Sequence, residues 1–71
     1  MNDFKTIILI VKEYLADEKR CKILDKDVAN VLEISQINFA TIKRRNSIPY
    51  ENILKFCQRE NFSYSKIFFK N

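Results

Sequence analysis

An all-α fold, a compact unit of five helices, is predicted by three features of this sequence. Its 71 residues include no Gly and a single Pro, so the residues that hairpins and tight turns prefer are nearly missing. Apolar residues recur at helical spacing, first at Phe4, Ile7, Ile8, Val11 and Leu15. A content of 46% hydrophobic and 31% charged residues is globular. A chain this short forms one domain over residues 1–71, burying only about 60% of the surface its unfolded form exposes.

Asp3 is the expected N-cap of a first helix over 4–18, whose stripe from Phe4 to Leu15 faces the core. Leu9, Ile10 and Tyr14 widen that stripe; they either pack on later helices, the preferred reading, or form a self-association face. Leu24-Asp25-Lys26-Asp27 opens a second helix, with Asp25 as cap and Asp27 in the first turn, where a carboxylate suits the helix dipole. Val28, Ala29 and Leu32 form its apolar face. This helix should stop near Glu33, because Ser35 caps a third helix beginning at Gln36, leaving Glu33-Ile34-Ser35 as the connection. The third helix carries Phe39 and Ile42 inward and runs into Lys43-Arg44-Arg45. A small Ala29 where the two helices cross, ten residues before Phe39, fits a helix-turn-helix. On spacing alone, an ordinary helical hairpin is the alternative. After the loop Asn46-Ser47-Ile48, Pro49 suits a first helical position. The fourth helix, over 49–59, then buries Ile53, Leu54 and Cys57 or Phe56. Asn61 is the expected left-handed end residue, and Ser63 caps a last helix holding Ile67, Phe68 and Phe69.

Composition also bounds function. Without Gly there is no Gly-rich phosphate loop, and without His the commonest proton-transfer group and metal ligand is missing. Cys21 and Cys57, with 35 residues between them, have no further Cys or His to complete a zinc set; two reduced thiols in a cytoplasmic protein are expected. No catalytic residue, metal or cofactor is therefore assigned, and no enzyme is expected. The longest apolar run, Ile7 to Val11, is far too short for a membrane span. The net charge of +4 is unevenly placed: residues 1–40 carry −1 and residues 41–71 carry +5, beginning with Lys43-Arg44-Arg45. Such a patch suits an anionic partner, nucleic acid before membrane, although a solvated face would show the same charge.

The stretch KDVANVLEISQINFATIKRRNSIPYENILKFCQRENFSYSKIFF, residues 26–69, resembles the N-terminal DNA-binding domain of phage CI-type repressors, within the lambda-repressor-like group of helix-turn-helix proteins. The run RRNSIPYENILKFC carries the most specific likeness, a basic run, a short polar loop, Ile-Pro and a following helix. The chain departs from the family at Glu33, where the family's turn has Gly. A left-handed Glu33 costs roughly 1 kcal/mol relative to Gly. The family's linker and self-cleaving, dimerising C-terminal domain have no counterpart before Phe68-Phe69-Lys70-Asn71, as in an excised domain or a short protein.

The resemblance implies a transcriptional repressor or regulator, bacterial or phage-encoded and cytoplasmic, binding double-stranded DNA as a homodimer. With helix three in the major groove, Gln36, Ile37, Ala40, Thr41 and Arg44 face the bases. Gln36 can pair bidentately with adenine, while Ile37 and the Thr41 methyl can touch thymine methyl groups, so an A·T-rich half-site is expected. Asn38, Lys43, Arg45, Asn46, Tyr50 and Asn52 are the expected phosphate contacts. Apolar surface for dimerisation is available at Ile10 with Tyr14 or, preferably, at Tyr64, Phe68 and Phe69. The alternative from another class is a helical protein-interaction module that keeps the fold without reading DNA.

Overall fold

Asp3 starts the first helix as its composition suggests, with Oδ1 accepting from the Thr6 backbone N–H at 2.9 Å. That bond holds the Asp3 carboxyl below its ordinary pKa. The computed structural model describes residues 1–19 and 22–69. Among them are five helices and no strand: α1 Phe4–Lys19, α2 Asp25–Val31, α3 Gln36–Arg45, α4 Tyr50–Glu60 and α5 Tyr64–Phe68. No described helix is long and apolar enough to cross a membrane.

The whole predicted stripe of α1 is buried, from Phe4 to Leu15. It packs on α2 and α5, and the core gathers Val28, Ala29 and Leu32, then Phe39, Ile53, Phe56, Cys57, Ile67 and Phe68. Phe4 meets Phe39 edge-on at 5.4 Å between ring centroids. Tyr14 points the same way, packing edge-on against Phe56 at 5.8 Å and Phe62 at 5.1 Å. Its hydroxyl donates to Glu60 Oε1 at 3.1 Å, so of the residues that widen the α1 stripe Tyr14 belongs to the core and Leu9 remains exposed. The backbone ahead of α1 is tied down as well, because the Asn2 backbone N–H donates to the Phe68 carbonyl and its side-chain amide donates to the Ile67 carbonyl at 3.0 Å. The radius of gyration, 11.2 Å, matches the roughly 11 Å expected for a folded chain of this length.

Several local expectations are corrected. Asp25 is the first residue of α2 rather than its cap, a position taken by Leu24. The Leu24 N–H instead donates to Asp27 Oδ2 at 2.9 Å, and this frees the Asp25 carboxylate for ion pairs with other helices. Pro49 precedes α4 as its N-cap, with φ −80° and ψ 75° outside the helical region. Leu54 is half-exposed, because burial in α4 follows Ile53, Phe56 and Cys57 at three and four residues' spacing. Phe69 closes α5 and is exposed, while Phe68 turns inward to stack on Tyr50 at 5.8 Å. Cys57 is buried and its thiol is pushed up in pKa by desolvation; the expectation for Cys21 lies outside the described residues, as do Lys70 and Asn71.

Candidate nucleic-acid interface

The connection between α2 and α3 determines how α3 is presented. Leu32 ends α2, and Glu33 adopts φ 59°, the left-handed region that Gly would enter without steric cost. The strained turn is braced from α4. Arg59 Nη2 donates to the Val31 carbonyl at 2.6 Å, and Asn52 Nδ2 donates to the Leu32 carbonyl at 2.9 Å. These bonds satisfy carbonyls that a helix end leaves without intrahelical partners. Arg59 also stands 3.7 Å from Glu33 Oε2 and 3.3 Å from Glu60 Oε2.

Ser35 then caps α3, its Oγ accepting from the Asn38 N–H at 3.2 Å. Within α3 only Phe39 is fully buried, with Ile42 half-buried beside it. Gln36, Ile37, Asn38, Ala40, Arg44 and Arg45 are exposed, Ile37 at 81% although it is a large apolar side chain. Thr41 is half-buried and its hydroxyl donates along the helix to the Ile37 carbonyl at 3.1 Å. Asn46 closes α3 in the left-handed region, φ 55°, with its N–H turned back to the Ile42 and Lys43 carbonyls and its side chain exposed. Lys43, Arg44 and Arg45 occupy the last turn, where cations also complement the helix dipole.

Compared with known proteins, the chain matches no family model, no curated protein and no solved structure. Its chemistry is therefore read from its own geometry. Gln36, Ala40, Lys43 and Arg44 border a groove of about 480 Å³ on one flank of α3. Asn38 and Thr41 border a smaller one, about 250 Å³, on the other flank, together with Ile34 and Asn52. Of the residues expected to face bases, Gln36, Ile37, Ala40 and Arg44 are exposed, whereas Thr41 is half-buried and borders the smaller groove.

The phosphate set divides. Asn38, Arg45 and Asn46 are exposed along or just beyond α3. Lys43 Nζ is held 2.7 Å from Asp25 Oδ2, while Lys12 Nζ stands 2.7 Å from Asp25 Oδ1. Lys12, then Lys43, hold the Asp25 carboxyl below the usual carboxylate range, and the triad joins α1, α2 and α3. The Asn52 amide serves the end of α2, and Tyr50 sits apart against Phe68 and Met1. Two groups to which the sequence assigns no site role enter instead: Lys5 of α1 and Lys26 of α2 border the larger groove. Their only signal in sequence is a place in the first turn of each helix, which says nothing about a meeting with α3. Among the described residues no group of three or more His, Cys, Asp or Glu could hold a metal ion.

Proposed function

We propose that this chain is a sequence-specific double-stranded DNA-binding domain of a transcriptional repressor or regulator, in which α2 and α3 form a lambda-repressor-like helix-turn-helix and α3 enters the major groove. The supporting observation is the presentation of α3: Phe39 alone is fully buried, while the opposite side offers Gln36, Ile37 and Ala40 to solvent ahead of three consecutive cations. An exposed helix of this kind matches the groove of B-DNA in width, and the groove's base edges supply partners for these side chains.

In this reading the Gln36 amide pairs with adenine, Ile37 and Thr41 contact thymine methyl groups, Ala40 permits close approach, and Arg44 reaches a base edge from the next turn. Asn38, Arg45 and Asn46 fix the register through phosphates. The protein binds as a homodimer on half-sites one helical turn apart, using exposed apolar surface that includes Tyr64 and Phe69. The cations of α3 make log affinity fall with log salt, at roughly −0.9 for each phosphate they neutralise.

Selection of binding sites from random duplexes tests the activity, the half-site and the spacing together. Enrichment of paired A·T-rich half-sites is expected. Recovery of G·C-rich sites would overturn the base assignment. Failure to enrich any duplex would overturn DNA reading and favour the partner-binding module.

A further inference from the structure

Resting on α3 as the base-facing helix, we propose that the larger groove beside it seats the phosphodiester backbone of the bound duplex, with Lys5 and Lys26 as its phosphate ligands. The groove carries four cations, Lys5, Lys26, Lys43 and Arg44, and one acid, Asp25. Asp25 already pairs with lysines other than Lys5 and Lys26, with the Lys12 ammonium 2.7 Å from one carboxylate oxygen and the Lys43 ammonium 2.7 Å from the other. Neither Lys5 nor Lys26 has an ion-pair partner among the described residues, although Lys5 lies in the field of Asp3.

Shape supports the same occupant. Ala29 and Phe39, both buried, and the exposed Ala40 supply the apolar part of the lining, and the groove, of about 480 Å³, is open to solvent. Gln36 and Arg44 share its rim with the face assigned to the bases. A strand whose bases meet α3 brings its backbone past that rim, and the two exposed ammonium groups opposite are the ones available to receive it. Lys43, held by Asp25, contributes to the field of the groove while serving the packing of α3.

The test is titration of one selected duplex over a series of salt concentrations with the full chain, Lys5→Ala/Lys26→Ala, and a control of equal charge, Lys55→Ala/Lys66→Ala. The control lysines are exposed on α4 and α5. Loss of both groove lysines is expected to weaken binding about tenfold or more and to flatten the salt slope by about 1.8 per subunit, at roughly 0.9 per phosphate. The base preference in selection should stay unchanged and the melting temperature should match that of the full chain. The control pair should leave the slope in place. A groove variant whose affinity and slope equal those of the control overturns the assignment while leaving DNA reading by α3 intact. Failure of the full chain to bind any duplex overturns both. Competition by inorganic phosphate at constant ionic strength separates a pocket for free anions from a track for a strand: half-displacement of the duplex at millimolar phosphate would mark the former and overturn the proposal.

Discussion

α1 and α3 are held in the same small domain by different means. Over 16 residues α1 buries five side chains in a continuous stripe, so hydrophobic burial dominates its orientation. Over 10 residues α3 fully buries one. Its place depends on the Ser35 cap, the edge contact of Phe39 on Phe4, and the reach of Lys43 to Asp25. A helix anchored at so few points leaves most of its surface available, which is what a recognition surface requires and what a core helix lacks.

If Phe39 is the anchor, removing it should have the largest effect of any change on α3. Phe39→Ala is expected to cost about 3–5 kcal/mol, against a total stability on the order of 4–10 kcal/mol for a chain of this length. Urea denaturation would then show a mostly unfolded or barely folded protein. Ile37→Ala, two residues away, should stay within about 0.5 kcal/mol of the parent. Equal losses at the two positions would mean that Ile37 also packs and that α3 is not presented as described.

Local signals are legible in the sequence. The α1 stripe, the Ser35 cap and the left-handed Asn61, at φ 54°, each follow from residue type and spacing within one or two turns. The role of Asp25 is not legible locally, because whether its carboxylate caps its own helix or pairs with Lys12 and Lys43 is decided by residues 13 and 18 positions away on other helices. Asn52 and Arg59 were missed as braces for the same reason: their acceptors are the Leu32 and Val31 carbonyls on α2, and no pattern within α4 reveals them. In the candidate site, the exposed face of α3 followed from its periodicity, whereas the groove lysines came together only through tertiary packing.

The turn ahead of α3 offers two opposed changes of similar size. Asn52→Ala removes a half-buried bond to the Leu32 carbonyl and should cost about 1 kcal/mol, lowering the melting temperature by roughly 4–8 °C for a domain of this size. Glu33→Gly relieves a left-handed residue, worth up to about 1 kcal/mol. The gain is reduced by the wider freedom of Gly in the unfolded chain and by loss of a solvent-exposed pair with Arg59. A net rise of a few degrees is expected in thermal unfolding. A fall would show that the Glu33–Arg59 contact, not the backbone bonds from α4, holds the turn.

The smallest effect tests the electrostatic tie of α3. Lys12 and then Lys43 lower the folded-state pKa of Asp25, while in the unfolded chain the carboxyl titrates near about 3.9. Between the folded and unfolded values the unfolded chain binds the extra proton, so acidification favours unfolding there. The stability contributed by the pair is complete above about pH 4 and is lost as pH falls through the folded pKa. Asp25→Asn should therefore be less stable than the parent at pH 7, by less than about 1 kcal/mol because the groups are 30–40% exposed and screened by solvent. The difference should narrow in urea titrations at pH 3. Asp3, whose carboxyl is also depressed, titrates in both proteins and cancels in the comparison. A gap that persists unchanged at pH 3 would mean that Asp25 supports α2 through shape or hydrogen bonding alone, leaving Phe39 and the Ser35 cap to hold α3 without help from charge.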